Sequence, residues 1–345
     1  MNPLIPGFGW VSFASLCGGA FALPLRLRRR YQIENTMFVA FFFATLVIPL
    51  IVAHFLLPQW YQALADTPAK TILIVMAFGF AWGTGSVFLA HAVNSIGLSL
   101  AYAVIMGLNT TVGSVIPMLR PEKWNAIPSA SKTFTFLGIV ICVIGVAICG
   151  RAGLLREKSL PSASPDPAAK TNRSRFLLGL LSCLVAGFVC AGANLGYEWA
   201  EPIAANAAQL GADPRLATLS RWLTMYWGGY VAIVLVFGIT LLRKKTYRNF
   251  TGPGASRDFL LALLMSALHF LGQIPYGVGA YYLGRLGTTV GWAVYISAVI
   301  VIANLLGFIT GEWKSAPKSS RNTLYLGLLV LIASMSCLAY ANSKL

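Results

Sequence analysis

Acidic residues are scarce in this chain, ten Asp and Glu against 26 Lys and Arg in 345 residues, and charged residues altogether make up only 10%. So little charge cannot clothe the surface of a water-soluble protein of this size. Metal-ligand spacings are missing as well. The six cysteines, Cys17, Cys142, Cys149, Cys183, Cys190 and Cys337, form no CxxC pair and all fall inside apolar runs. That argues against a disulfide framework and a zinc site and leaves them as packing residues. No HExxH, Walker A loop or GxSxG occurs, and the few carboxylates do not pair within apolar runs. An enzyme is therefore the weaker class, an ATP-driven pump lacks its nucleotide site, and neither metal nor cofactor is expected.

What the chain has instead is apolar length. Residues of hydrophobic type make up 57%, and runs such as Met37 to Leu57 and Leu177 to Ala193 carry no Asp, Glu, Lys or Arg. Such runs are long enough to cross a bilayer, and in hydrocarbon each must close its backbone hydrogen bonds as a helix. Candidate spans run from 5 to 25, 36 to 57, 71 to 91, 96 to 119, 133 to 150, 176 to 197, 217 to 242, 258 to 282, 287 to 310 and 323 to 341. Ala20-Phe21-Ala22 looks like a signal-peptidase site, but no positive charge precedes the first run and four arginines follow it, so that run is kept as a span.

The net charge of +16 invites a nucleic-acid reading, yet the basic residues cluster between spans: 18 of the 26 Lys and Arg fall in the loops after odd-numbered spans. Positive loops stay in the cytoplasm, so the charge reports topology and places both termini outside, with no nucleic-acid partner. The segment 151–175, with Pro161, Pro165 and Pro167 among serines, has linker composition and separates five spans (1–150) from five (176–345). At an offset of 190, Gly97-Leu-Ser-Leu-Ala-Tyr-Ala-Val104 aligns with Gly287-Thr-Thr-Val-Gly-Trp-Ala-Val294, and Glu122-Lys-Trp124 with Glu312-Trp-Lys314. Five spans per half is an odd number, so the second half would enter the membrane inverted. The expected fold is all-α, ten transmembrane helices in two inverted five-helix repeats, the pattern transporters use for alternating access.

Polar side chains at depth are costly and mark candidate sites. His269 is central in span 8, with Gln273 and Tyr276 following at helical spacing on one side of it, a stripe able to bond a polyol and take a proton. Structural use of His269 against a neighbouring helix is the competing reading. Glu198, after Asn194 and Tyr197 at the outer end of span 6, could exchange a proton with the medium; Glu201 follows it. Glu34 is expected to cap its helix or pair at the surface near Arg28 to Arg30, and His54 and His91 are expected to be structural. Asn109 in span 4 and Tyr295 in span 9 put uncharged polar groups at depth in both halves, and Trp82 lies well inside span 3, placed to stack on a sugar ring. Gly192-xxx-Gly196 and Gly287-xxx-Gly291 have the spacing of close helix contacts, and Pro117 and Pro275 of kinks.

Leu23-Pro-Leu-Arg-Leu-Arg, Leu56-Leu-Pro58-Gln-Trp60, Trp82-Gly-Thr-Gly85, Gly150-Arg-Ala-Gly153, Leu210-Gly-Ala-Asp-Pro214 and Gly311-Glu-Trp313, spread over nearly the whole length, resemble the L-rhamnose/proton symporter family of the drug/metabolite transporter superfamily. The resemblance implies a ten-helix inner-membrane sugar/proton symporter with periplasmic termini. It also implies polar and acidic residues in spans 3 and 9, where this chain has Phe88 and Thr288, so proton transfer would fall to His269 or Glu198. The expectation is proton-coupled uptake of a neutral monosaccharide, L-rhamnose or a related 6-deoxyhexose. Trp82, Asn109, Asn194, Gln273, Tyr276 and Tyr295 would bind it, His269 or Glu198 would couple the proton, and a homodimer is left open. The alternative is an exporter or exchanger of another small polar metabolite.

Overall fold

The computed structural model describes residues 3–96, 98–159 and 173–345, and among these every regular element is helical. Ten helices are long and apolar enough to cross a membrane: Leu4–Arg26, Ile33–Leu56, Ala69–Val93, Leu100–Met118, Ser129–Ser159, Phe176–Gln209, Pro214–Lys244, Ala255–Tyr282, Gly284–Ile309 and Lys318–Asn342, numbered here as spans 1 to 10. They match the ten apolar runs of the sequence. Two boundaries differ most: the helix of span 5 continues to Ser159, nine residues into the segment read as a linker, because nothing before Pro161 breaks it, and span 6, expected to end at 197, runs on through the helix Glu201–Gln209. The proline-bearing stretch 160–172, like Gly97 of the repeat, lies outside the described residues.

The helix ends have local causes. Gly311 at φ 79° and Gly211 at φ 98° each take the left-handed conformation that closes a helix. The following amides reach back five residues, Glu312 N–H to the Gly307 carbonyl and Ala212 N–H to the Ala207 carbonyl, satisfying carbonyls the helix leaves open. Two residues past Gly211, Asp213 accepts the Arg215 backbone N–H at 2.8 Å, and Pro214 opens span 7.

By packing, the chain divides into two compact units. Unit 1 comprises residues 1–84 and 192–291, unit 2 residues 85–191 and 292–345. Each therefore draws on both halves of the sequence.

In unit 1, spans 1 and 8 lie antiparallel: a Cβ added at Gly279 would meet Val11, and one at Gly272 would meet Ala14 and Cys17. Spans 3, 6 and 7 approach backbone to backbone. A Cβ at Gly192 would sit 2.6 Å from the Phe78 carbonyl oxygen, and one at Gly79 or Gly228 would collide with the Met225 or Met76 carbonyl, so these helices touch only because the residues are glycine. The Gly192-xxx-Gly196 spacing does what its pattern predicts.

The turn between spans 1 and 2 is tied down by a carboxylate. Asp258, 1% exposed, accepts backbone N–H groups from Arg29, Arg30 and Tyr31 at 2.6 to 3.1 Å. Tyr31 in that turn has its phenol pKa raised, first by burial and then by the Asp258 charge. Glu34 is likewise buried, 2% exposed, and its partners are Thr246 Oγ1 at 3.1 Å and Lys244 Nζ at 3.5 Å. Burial of Glu34 beside Lys244 and Thr246 thus replaces the expected surface pairing near Arg28 to Arg30.

Spans 2 and 7 each contain one π-helical stretch, Phe43–Val47 and Val234–Gly238, whose first residues lie 191 positions apart. The π stretch of each packs against the other span. A threonine hydroxyl bonds back to a carbonyl at each, Thr45 to Phe41 and Thr240 to Val236, both at 2.6 Å, and Pro49 withholds an N–H just beyond the first.

In unit 2, spans 5 and 10 run antiparallel: Gly138 faces Leu338, Gly145 faces Leu331, and Gly327 faces Cys149. Hydroxyls stitch the pair, Ser334 Oγ to the Gly138 carbonyl at 3.0 Å and Ser320 Oγ to the Ala152 carbonyl at 2.7 Å.

Candidate functional site

Several buried polar side chains of unit 1 gather on span 6. Asn194 and Glu198, four residues apart, share one face of that helix, and both are buried, 0% and 3% exposed. Glu198 Oε2 accepts the Thr288 hydroxyl at 2.7 Å, and the Thr288 carbonyl accepts Asn194 Nδ2 at 2.7 Å. Thr288 thus holds the carboxylate and the amide together. The other end of that amide, Asn194 Oδ1, accepts the Tyr276 hydroxyl at 2.5 Å. A carboxylate taken from water into such a place is costly unless it is hydrogen-bonded or protonated, which makes its proton a coordinate of the site.

From Tyr276 the network continues through aromatic rings. Tyr197 packs against Tyr276 and Trp222, with centroids 5.6 and 4.7 Å away, and its hydroxyl donates to the Gly277 carbonyl at 3.5 Å. Trp222 stacks on Tyr226 at 5.4 Å, and the Tyr226 hydroxyl shares a 3.2 Å hydrogen bond with His269 Nε2, its direction set by the imidazole tautomer. Trp82 stacks on the imidazole at 5.8 Å and 22° and also touches Tyr226, and Phe21 and Phe41 lie against the imidazole at 5.5 Å. One continuous chain of contacts, all inside unit 1, therefore links Glu198 to His269.

Three polar atoms beside this chain have no hydrogen-bond partner among the described residues. They are the acceptor Gln273 Oε1, four residues after His269 on span 8, and the donors Trp222 Nε1 and Arg221 Nε. Arg221 lies two turns into span 7 with its guanidinium 5.0 Å from the centre of the Tyr197 ring, a cation on an aromatic face. An arginine inside a span is a costly residue that marks function.

Of the residues singled out from sequence, the structure places Trp82, Asn194, Glu198, His269, Gln273 and Tyr276 in this one unit. Trp82 contacts the imidazole, Tyr226 and Phe41. Asn109 and Tyr295 fall in unit 2. There Asn109 is 5% exposed with Oδ1 unpartnered, and Tyr295 is buried with its ring 5.5 Å from Trp292. Glu201 is exposed and opens the short helix Glu201–Gln209, and His54 and His91 are exposed.

The sequence reading did not single out Arg221, Tyr226 or the clamp formed by Thr288. Arg221 carried a signal, a charge after Ala217 inside an apolar run, but it fell among the loop charges. Tyr226 carried none, since its role depends on facing His269.

Just before span 7, Asp213 accepts from the Arg215 side chain at 2.6 to 3.2 Å, which holds its carboxyl down to about 2; both residues lie at the surface. This is a cap and not part of the site.

Ten apolar spans, with a carboxylate, an imidazole and a guanidinium held in one helical unit, define a multi-pass membrane protein of the transporter class. The chain belongs to the L-rhamnose-proton symport protein (RhaT) family, whose sequence model matches residues 1–342. It is similar to the L-rhamnose-proton symporter of Cronobacter sakazakii, 25% identical over 342 residues covering 96% of both chains. The symporter of the same description from Pectobacterium carotovorum is 24% identical over 340 residues, again 96% of both, and that from Klebsiella pneumoniae 25% over 338, 94% of both.

Proposed function

We propose that this protein imports L-rhamnose or a related 6-deoxyhexose across the inner membrane together with a proton. The observation that carries the reading is the buried Glu198 carboxylate, bonded through Thr288 to the same amide that takes the Tyr276 hydroxyl. Protonation removes the charge of Glu198 and gives it a donor it lacked while its other oxygen still accepts, so the bond from Thr288 weakens and a new acceptor is called for beside Asn194 and Tyr276. Sugar hydroxyls, which both donate and accept, replace the Asn194–Tyr276 bond and meet Gln273 Oε1, while Trp82 stacks on the ring. His269, enclosed by Trp82, Tyr226, Phe21 and Phe41, is the second candidate for the proton.

Two inverted five-span repeats, 1–150 and 176–345, frame this reading. It is supported by the residue matches at an offset of 190 and by the π stretches of spans 2 and 7, 191 apart. The charge of the loops after odd-numbered spans supports periplasmic termini.

Arg221 favours a second reading within the same class, exchange of an anionic small metabolite, because an unpartnered guanidinium donor inside a span suits a carboxylate. The test is thermal stabilisation of the detergent-purified protein by neutral sugars, L-rhamnose and L-fucose among them, and by the matching sugar acids, at acidic and alkaline pH. A pH-dependent shift with a neutral deoxyhexose supports symport. A shift with sugar acids alone would sink it and support the exchanger.

A further inference from the structure

Unit 2 holds a cavity of about 430 Å³ between spans 4, 5 and 6 that the proposed transport does not use. Its walls are Val104 and Leu108 of span 4, Val143 and Ala147 of span 5, and Leu184 of span 6. Two further residues on the wall are polar, and they differ in kind. The Thr111 hydroxyl is spent on the Gly107 carbonyl of its own helix at 2.9 Å, so it has no donor to offer an occupant. Arg151 is exposed, and among the described residues no carboxylate comes within ion-pair distance of it. The groove is thus apolar along its length with a single unneutralised cation.

A glycine on the same wall keeps it open. A Cβ built at Gly107 would meet only Val143 Cγ1, at 3.8 Å, which is ordinary contact. On the neighbouring span, by contrast, a Cβ at Gly187 would sit 2.6 Å from the Leu108 side chain, where absence of a side chain is required for the helices to pack. Helix packing therefore does not explain the glycine at 107; room in the groove does.

We infer that this groove is a binding site for an anionic phospholipid, with an acyl chain along Val104, Leu108, Val143 and Leu184 and the phosphate on Arg151. A polyol is excluded by the wall, which offers it no hydrogen bond except at Arg151. An amphiphile with one anionic head matches both features: apolar wall for the chain, guanidinium for the phosphate. The lipid around a membrane protein supplies that molecule at high local concentration.

Native mass spectrometry of the full-length protein, titrated with phosphatidylglycerol and with phosphatidylcholine, tests the site. Phosphatidylglycerol should be retained in preference. Arg151→Gln should weaken its binding about fivefold and that of phosphatidylcholine, whose choline offsets the phosphate charge, much less, so that the preference collapses. Gly107→Phe, which fills the groove, should lower occupancy by both lipids, and Ala147→Trp, on the opposite wall and exposed, does the same should Gly107→Phe fail to fold. Lys132→Gln, a cation placed over Trp124 away from the groove, should change nothing. Glycerol 1-phosphate, the head without the chain, should not compete. Equal binding of the two lipids, a preference untouched by Arg151→Gln, or occupancy untouched by both groove-filling variants would each overturn the inference. Displacement by glycerol 1-phosphate alone would overturn it too, in favour of a plain phosphate site.

Discussion

The two compact units bury polar residues for opposite ends. All three carboxylates buried among the described residues, Glu34, Glu198 and Asp258, are in unit 1, along with His269 and Arg221. Unit 2 buries hydroxyls, thiols and amides, such as Thr110, Ser297, Ser320, Ser334 and Cys142, and no carboxylate. In unit 2 the bonds run to carbonyls, of the same helix as from Thr110 or of a facing helix as from Ser334 and Ser320, or between small groups, as in the 3.1 Å contact of Cys142 with Ser297. They hold helices together and have no proton to exchange near neutral pH. In unit 1, side chain meets side chain in a continuous chain that has a titratable group at each end, Glu198 and His269. The difference separates adhesive polarity from chemical polarity within one membrane protein.

Substitutions can break or sharpen that division. The largest effect is expected at Glu198. Glu198→Gln should abolish accumulation of sugar driven by a pH gradient in proteoliposomes while counterflow exchange persists. If accumulation survives, and His269→Gln abolishes it instead, the proton belongs at the other end of the network. Next comes Thr288→Val, which removes the O–H that favours the ionised carboxylate. With that bond gone the carboxylate loses its link through Thr288 to Asn194, so accumulation driven by a pH gradient should fall severalfold in proteoliposomes, less than in Glu198→Gln.

Unit 2 should respond in stability and not in coupling. Gly138→Val must displace Leu338, whose side chain would lie 2.7 Å from the new Cβ, and should cost about 1 to 3 kcal/mol in thermal melts with the pH profile of uptake unmoved. A shifted profile would show that the two units are not divided as described. Asp258→Asn, in unit 1 but outside the network, should resemble the unit 2 variant: it leaves backbone N–H groups of Arg29, Arg30 and Tyr31 poorly satisfied and should destabilise by about 2 kcal/mol without altering coupling.

The smallest effect is expected at Asp213. Its carboxyl is held down to about 2 by the Arg215 side chain, so whatever the capping pair contributes is fully present above the ordinary carboxylate pKa. That contribution is lost only as pH falls towards the depressed value. Melting temperatures of Asp213→Asn and the parent should differ by the same small amount from pH 7 to pH 5, and the gap should close only in stronger acid.

Apolar length alone determined the ten spans, because hydrocarbon permits a crossing segment no other backbone than a closed helix, and the chain's runs are long and uninterrupted. The Gly192-xxx-Gly196 contact was equally legible, since a four-residue glycine spacing leaves a flat helix face wherever it occurs. Family membership was legible in short motifs such as Trp82-Gly-Thr-Gly85 and Leu210-Gly-Ala-Asp-Pro214, and the match over residues 1–342 bears it out. What sequence alone could not determine was which polar groups meet. Glu34 pairs with Lys244 and Thr246 and not near its neighbours Arg28 to Arg30, Asp258 holds a turn more than 200 residues away, and Thr288 turns from an apparent gap in a motif into the hydroxyl that bonds Glu198. Each depends on how a helix is rotated about its axis and which helix lies beside it. Hydropathy carries no record of either, because the bilayer rewards every apolar face alike and only packing against specific glycines and rings selects one rotation.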